Sequence, residues 1–245
     1  MALITLIRHG QASFGAANYD QLSTLGYVQA KHLGNLFAQQ QQQFNQVWMG
    51  AMARHRQTAE SCLTAASMDH ALNVHAGLNE FDHEQVLMKL DSTRFPDKHA
   101  LMQCIAASQH PKKTLGKLFG EAMQRWQCGQ FDDDYSETWQ QFQSRSVNAL
   151  HDIVAQSGLD QSNGQQDTQQ HSLEHHSVVF SSGGVISVMV QHLMGLHDDA
   201  TFQLNWALVN CGITQIRSDG TKHSILSINE HNHFRGQASE LLTWH

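Results

Sequence analysis

The chain opens with a short apolar run, ALITLI, that ends abruptly in Arg8, His9 and Gly10. The run is rich in Ile and Leu and too short for a helix, so it predicts a buried strand. In an open α/β sheet the carboxyl ends of the strands face the crevice where ligands bind, which places Arg8 and His9 beside a ligand. Gly10 allows the backbone to turn tightly next to them.

Arg8 and His9 have the side chains that phosphoryl transfer requires. A neutral imidazole can attack phosphorus near pH 7. A guanidinium group binds two phosphate oxygens at once and stays charged throughout. An Arg-His pair is also a common accident of protein surfaces, so this interpretation depends on what the rest of the chain adds.

A second anion-binding feature lies in the last third of the chain. The apolar segment 177–181 predicts a strand, and Gly183 and Gly184 lead from it directly into an apolar helix. The free amides and the dipole at the start of such a helix both favour a phosphate group. The sequence therefore predicts a second anion-binding strand end, at Gly183.

Strands and helices alternate along most of the chain, which predicts an α/β fold: a three-layer α/β/α sandwich with a mostly parallel sheet covered by helices on both faces. Ser23 is the predicted N-cap of the first helix. The residues predicted to face inward from that helix are Leu25, Val28, Leu33, Leu36 and Phe37. The other predicted elements are strands at 44–49, 72–75, 177–181, 212–217 and 224–228, and helices at 54–66, 137–154 and after Gly184.

The 245 residues predict one domain, 1–245, with 40% apolar content that is sufficient for a sizeable core. Residues 84–126 hold both prolines and lack a strand signal, so we expect a helical insertion, or cap, that lies over the crevice. Residues 156–176 are polar and rich in Gln, which predicts a flexible surface loop. Asp132–Asp134 are also predicted to form a loop rather than a metal site.

The net charge of −7 argues against nucleic acid and anionic membranes as main partners, because both require an excess of Lys and Arg. A signal peptide and an apolar stretch of membrane-spanning length are both missing from the sequence, so a cytoplasmic protein is expected. The four cysteines have no CxxC spacing, and neither a zinc knuckle nor a redox pair is indicated. Oligomeric state cannot be read from these patterns.

Several segments together resemble the histidine phosphatase superfamily, also called phosphoglycerate mutase-like. The similarity extends from Leu3 to about Phe234. The segments that carry it, in chain order, are the RHG of residues 8–10, the LSTLGYVQA of residues 22–30, Arg54 followed by Gln57, Thr58 and Ala59, the LNE ending at Glu80, the helix with Arg145, and the SSGGVIS of residues 181–187.

The resemblance implies a phosphoglycerate mutase-like fold and a metal-independent phosphatase reaction on a small phosphorylated substrate. His9 would be the nucleophile that becomes phosphorylated, and Arg8 and Arg54 would bind the phosphoryl oxygens together with Ser182 and Gly183. Glu80 would be the general acid, and the same carboxylate would then activate the water that clears the phosphohistidine. This scheme needs neither a metal nor a nucleotide cofactor.

One departure from the family pattern concerns Ser182. The family usually carries a second histidine there, in a Ser-His-Gly context, which donates to the phosphoryl group in the transition state. Loss of one such donor costs about 2.7 to 4 kcal/mol. Three explanations stay open: His231 or His233 fills the gap, Ser182 with the Gly183 amide suffices for a slower or specialised phosphatase, or the site binds phosphorylated ligands without turnover.

Other functions have weaker support. The mutase branch favours an Asn soon after the nucleophilic histidine, and here Asn18 comes later, so mutase activity is the less favoured alternative. A serine hydrolase with Ser182 as nucleophile would need Gly at the position of Phe180. Neither a P-loop nor a GxGxxG motif is present. Nothing in the loops identifies the substrate.

Overall fold

A computed structural model describes residues 1–13, 20–158 and 175–244. Asn18 and most of the predicted 156–176 loop lie outside the described residues. The described chain divides into two compact units, which are residues 1–80 with 145–245, and Phe81–Ser144. None of the helices in the described ranges combines the length and the apolar character needed to cross a membrane.

The first unit is built on one six-stranded sheet, in the order β3-β2-β4-β1-β5-β6. Three pairs of neighbouring strands are parallel: β3 with β2, β2 with β4, and β4 with β1. Strand β5 is antiparallel to β1, and β6 is antiparallel to β5. The strands are β1 (Ala2–Arg8), β2 (Gln46–Met49), β3 (Leu72–Val74), β4 (His175–Ser181), β5 (Ile213–Ser218) and β6 (His223–Glu230). The chain thus has the predicted mixed α/β fold, with an antiparallel hairpin at one edge.

Both faces of the central strand β1 are buried, since Ile4, Leu6 and Ile7 are fully buried and Thr5 is 2% exposed. On one face Ile7 packs in the core with residues of helices α1 (Thr24–Gln39) and α2 (Ala53–Ala65). On the opposite face, helix α7 (Gly183–Met194) contacts β1 and β6. This unit also contains α8 (Asp198–Ala207) and the later part of α6 (Trp139–Gln156).

The first helix begins where the sequence predicts, because Ser23 Oγ accepts a hydrogen bond from the Gly26 N–H at 3.0 Å. One of the residues predicted to face inward from this helix is instead exposed. Val28 is 44% exposed, and Gln29 is buried in its place. The side chain of Gln29 accepts from the Gln11 N–H and donates to the Leu241 carbonyl and Thr243 hydroxyl, so hydrogen bonds satisfy a polar group where the apolar pattern predicted Val28.

The second unit is helical and contains α3 (His83–Met88), α4 (Lys98–Ala106) and α5 (Pro111–Gln127). These helices occupy the predicted insertion, whose placement over the crevice stays a prediction. One small core joins Phe95, Leu101, Ile105 and Leu118. The predicted loop at Asp132–Asp134 is instead a short 3-10 helix, in which Asp134 Oδ2 forms an ion pair with Arg125 at 2.5 Å.

Candidate active site

His9 follows directly after β1 and is 7% exposed. Its Nδ1 lies 2.7 Å from the Gly10 carbonyl, and its Nε2 lies 3.2 Å from the Nε of Arg54. A carbonyl oxygen and a guanidinium N–H leave no choice of tautomer: Nδ1 carries the proton and donates, while Nε2 carries the lone pair and accepts. His9 therefore presents Nε2 as its nucleophilic nitrogen.

The environment of His9 keeps the imidazole neutral. Burial, followed by the charges of Arg54 and Arg8, lowers the pKa of His9 well below its usual range. The hydrogen bond to the Gly10 carbonyl acts in the other direction and is the smaller effect. A neutral imidazole with its lone pair beside a guanidinium group is the state in which a histidine can attack an electrophilic phosphorus.

Arg54 lies in the first turn of α2, and its side chain is only 3% exposed. Asp20 holds it in place: Oδ1 pairs with Arg54 Nη1 at 2.9 Å, and Oδ2 accepts from the backbone N–H of Ala53 at 2.9 Å. Met52, the residue at the N-cap of α2, makes no side-chain capping bond, so the Asp20 carboxylate serves both the helix start and the guanidinium. No sequence motif marks Asp20.

Arg8 is the last residue of β1, and its Nη1 donates to the carbonyl oxygens of Leu208 and Trp244. Its Nε lies 3.5 Å from the point where a Cβ of Gly183 would be. Arg8 thus joins the end of β1 to the start of α7 and to the C-terminal segment. Its positive charge reaches His9, whose pKa it helps to lower.

The side chain of Glu80 contacts the start of α7, because its Oε2 accepts a hydrogen bond from the Gly184 N–H at 3.0 Å. The predicted anion-binding helix start thus holds a carboxylate of the chain itself. Arg145 fixes the loop that carries Glu80, because its Nη1 donates to the carbonyls of Gly77 at 3.2 Å and Asn79 at 2.6 Å. Gly183 lies next to Gly184 in the same first turn of α7.

Ser182 is fully buried at the N-cap of α7, and its Oγ lies 2.7 Å from Nε2 of His55. His55 follows Arg54 in α2 and is also fully buried. Its ring centroid lies 5.7 Å from that of His9. Burial, and then the charge of Arg54, lower the pKa of His55 well below its usual range. The sequence does not mark His55, because in the polar run ARHRQTAE it resembles one residue of an exposed helix face.

The two histidines that the sequence offered as replacements at Ser182 have other contacts. His231 donates from Nδ1 to the Asn229 carbonyl at 2.6 Å. His233 lies against the rings of Phe234 and His32. The histidine in contact with Ser182 is His55. The histidine next to Ser182 thus belongs to α2, and the contacts of His231 and His233 given above are with other groups.

Buried hydrogen bonds fix the backbone around His9. The Gly10 N–H donates to Thr58 Oγ1 at 3.0 Å, and the Thr58 hydroxyl donates to the Arg54 carbonyl at 2.7 Å. On the other side, Asn210 Nδ2 donates to the His9 carbonyl at 3.1 Å. His9 and the guanidinium group beside it are thus linked through Thr58, which limits changes in their separation.

No group of three or more metal-ligating side chains that could hold an ion occurs within residues 1–13, 20–158 and 175–244. The side chains brought together are two imidazoles, two guanidinium groups, a carboxyl group and a hydroxyl group. Such a set suits an anion with a transferable phosphoryl group.

A comparison with known protein families shows the superfamily of the chain. The model of the histidine phosphatase superfamily (branch 1) matches residues 4–103 and 105–231. The chain belongs to the histidine phosphatase superfamily. Compared by sequence with curated proteins, it has no significant match.

Solved structures with the same fold include phosphatases and a mutase. A phosphoglycerate mutase from Bacillus anthracis is 15% identical over 95% of this chain and 94% of its own, with a TM-score of 0.61. A phosphoserine phosphatase mutant from Entamoeba histolytica, in complex with phosphoserine, is 16% identical over 95% of this chain and 99% of its own, with a TM-score of 0.62. A putative alpha-ribazole-5'-P phosphatase from Escherichia coli is 17% identical over 94% of this chain and 96% of its own, with a TM-score of 0.58.

Proposed function

We propose that this protein is a phosphomonoester hydrolase that works through a phosphohistidine on His9. The observation that carries the proposal is the state of His9: a buried, neutral imidazole whose Nε2 lone pair lies 3.2 Å from the Arg54 guanidinium. A phosphoryl group bound by Arg54 would lie next to the nucleophile. The enzyme acts on a small phosphorylated substrate and needs no metal or cofactor in this scheme.

The first half-reaction forms a bond between His9 Nε2 and phosphorus and breaks the bond between phosphorus and the ester oxygen. Arg54 and Arg8 neutralise the phosphoryl oxygens as charge shifts during transfer. The leaving oxygen takes a proton from Glu80, so that an alcohol departs. The Gly184 N–H binds Oε2 of Glu80 and orients the carboxyl group for that transfer.

The second half-reaction clears the enzyme. Glu80, now a carboxylate, removes a proton from a water molecule that attacks the phosphorus of the phosphohistidine. The nitrogen–phosphorus bond breaks, inorganic phosphate leaves, and His9 recovers its Nε2 lone pair. Asp20 and Arg145 act on this cycle as positioning residues, through Arg54 and through the loop that carries Glu80 respectively.

The test is phosphate release from p-nitrophenyl phosphate and a panel of small phosphomonoesters, with wild type compared with His9→Ala. We expect turnover by wild type and none by His9→Ala. A matched control is His231→Gln, which replaces a histidine whose contact is with Asn229 and should keep wild-type turnover. Equal activity in wild type and His9→Ala would show that the proposal is wrong.

Two further functions are tested by separate measurements on the wild type. The similarity in fold to a phosphoglycerate mutase favours a test for transfer to a second hydroxyl group in place of water. Transfer of phosphate between the positions of a phosphoglycerate would indicate a mutase. Saturable binding of phosphate by a wild type that turns over no substrate would indicate a protein that binds phosphorylated ligands in a regulatory role.

A further inference from the structure

We propose that His55 is a positioning residue for phosphoryl transfer and acts through the hydroxyl group of Ser182. The inference rests on the proposed function and adds a residue to it. The carrying observation is the 2.7 Å contact between His55 Nε2 and Ser182 Oγ, which joins two side chains 127 residues apart. Both side chains are fully buried beside His9.

The register of the sheet places Ser182 at the reacting centre. β1 and β4 are neighbouring parallel strands in which Arg8 pairs with Ser181, and the His9 N–H donates to the Ser181 carbonyl at 2.9 Å. His9 and Ser182 are therefore the first residues beyond two adjacent strand ends, about 5 Å apart in backbone position. A phosphoryl group bound at His9 Nε2 would come within reach of the Ser182 hydroxyl.

The position of the His55 ring is fixed on its other side by Gly50. A Cβ on Gly50 would come within 2.3 Å of His55 Nδ1, so only glycine allows the ring to lie there. The ring is held between the Gly50 backbone and the Ser182 hydroxyl. Such tight placement is typical of a side chain whose orientation matters.

The direction of the hydrogen bonds follows from the chemistry of the ligand. Phosphoryl oxygens accept hydrogen bonds, so Ser182 must donate its single proton to a bound phosphoryl group. Ser182 Oγ can then accept only from a protonated Nε2 of His55. Donation from His55 to Ser182 polarises the serine hydroxyl group. The hydroxyl group then donates more strongly to the phosphoryl group than a serine alone would.

The empty site and the loaded site differ in charge. Arg54 and the ring of His9 face His55, and burial together with the Arg54 charge keeps the imidazole neutral when no ligand is bound. A bound phosphate dianion opposes the Arg54 charge and favours a proton on both ring nitrogens. The pair thus strengthens donation as the anion arrives.

A purely structural role is the competing explanation, because a buried histidine bonded to a serine also stabilises a fold. The two explanations differ in what rescues activity. A donor role is restored by any arrangement that returns a donor to the phosphoryl group, whereas a packing role is restored only by the original shape.

The test compares His55→Ser, His55→Gln and the exchange of both side chains, His55→Ser with Ser182→His. The readouts are kcat and KM for p-nitrophenyl phosphate, Tm, and the level of phosphate trapped on His9. His231→Gln is the matched control and should keep wild-type kcat. We expect His55→Ser to lower kcat about 100-fold, with little change in KM, as for the loss of one transition-state donor.

The rescue variants decide between the two roles. The amide N–H of His55→Gln reaches Ser182 and should give a kcat between those of wild type and His55→Ser. The exchanged pair should regain about tenfold over His55→Ser, since an imidazole then donates directly. An unchanged kcat in His55→Ser, or a folded His55→Gln no better than His55→Ser, would overturn the inference.

Failure of the proposed function has its own signature. If wild type neither releases phosphate nor carries it on His9, the phosphatase proposal is wrong and the role of His55 falls with it. An active, phosphorylated wild type whose His55→Ser variant is equally active overturns the role of His55 alone.

Discussion

Asp20 binds Arg54 twice over, through the guanidinium group and through the start of the helix that carries it. Its Oδ1 lies 2.9 Å from Arg54 Nη1, and its Oδ2 lies 2.9 Å from the backbone nitrogen of Ala53. One carboxylate thus holds both the Arg54 guanidinium group and the backbone at the start of its helix. Because Arg54 Nε in turn contacts His9, the position of Asp20 sets the geometry of the nucleophile.

Asp20→Asn should lower activity by misplacing Arg54. The amide keeps one acceptor for the start of α2 but loses the ion pair with a guanidinium that is 3% exposed. We expect kcat to fall about 10-fold to 100-fold, the size of effect that small misplacements of reacting groups produce. Steady-state kinetics measures it, with the exposed Asp69→Asn as control. Wild-type kinetics in Asp20→Asn would contradict the role assigned to the pair.

Glu80→Gln should have an effect that depends on the leaving group. The amide can still accept from the Gly184 N–H, so the loop stays in place, but it cannot donate a proton to the leaving oxygen. Alkyl phosphates should lose about 100-fold to 10,000-fold in kcat. p-Nitrophenyl phosphate should lose less in the first half-reaction, because p-nitrophenolate leaves without protonation.

The control for Glu80→Gln is Glu60→Gln, at an exposed carboxylate that pairs with Arg56. A burst of p-nitrophenolate followed by slow turnover would locate the defect in the water-dependent step. Equal losses for alkyl and aryl substrates in both steps would argue against Glu80 as the proton donor.

The pH dependence of His9 follows from the direction of its pKa shift. Burial and the two arginines lower that pKa below 6.5, so the neutral, nucleophilic form persists as the pH falls through 6.5. In an NMR titration, the imidazole resonance missing from His9→Gln should show no protonation step at or above pH 6.5. A midpoint above that value would contradict the buried, cation-flanked environment.

The same shift links pH to stability. When the pKa of a histidine is lower in the folded state than in the unfolded state, the unfolded chain binds more protons than the folded chain as the pH falls below about 6.5. Its stabilising contribution is therefore complete above that pH and is lost on acidification toward the folded pKa. The pKa of His233 is lowered to about 4 by burial and by His32, so it adds to the acid sensitivity in that window.

Gly10, beside His9, and Gly116, in α5, have opposite surroundings, and substituting each tests the packing. A Cβ on Gly10 would lie 2.5 Å from the Gly26 carbonyl oxygen, a backbone atom that cannot move aside, whereas a Cβ on Gly116 in α5 meets nothing within 4 Å. Gly10→Ala should destabilise the fold by about 1 to 3 kcal/mol, as overpacking does. Gly116→Ala should stabilise it by about 0.5 to 1 kcal/mol. Urea unfolding measures both, and the opposite order would contradict the packing.

The central elements of the fold were predictable because their signals are local. The strand before His9 and the Ser23 cap each depend on a few neighbouring residues. Helix α8 was not predicted, because Thr201 is its one buried residue and it has no apolar stripe. Gln29 was missed because its burial depends on partners at Leu241 and Thr243, far along the chain.

The candidate site divides in the same way. Arg8 and His9 lie at the end of β1, and Arg54 and Glu80 come after β2 and β3. All four stand in recognisable motifs, so their types and order made them candidates. Asp20 and His55 carry no motif. Their roles arise from contacts with residues 34 and 127 positions away, which only the folded chain brings together.

The most direct test of a phosphohistidine on His9 is to trap the phosphoenzyme and locate the phosphate. Wild type would be mixed briefly with ³²P-labelled substrate, quenched in base, and digested for mass spectrometry. We predict an acid-labile, base-stable phosphoryl group on the peptide that contains His9, absent from His9→Ala and present in His231→Gln. Turnover with the label on Ser182, or with no label on the chain, would show that the reaction does not pass through a phosphohistidine on His9.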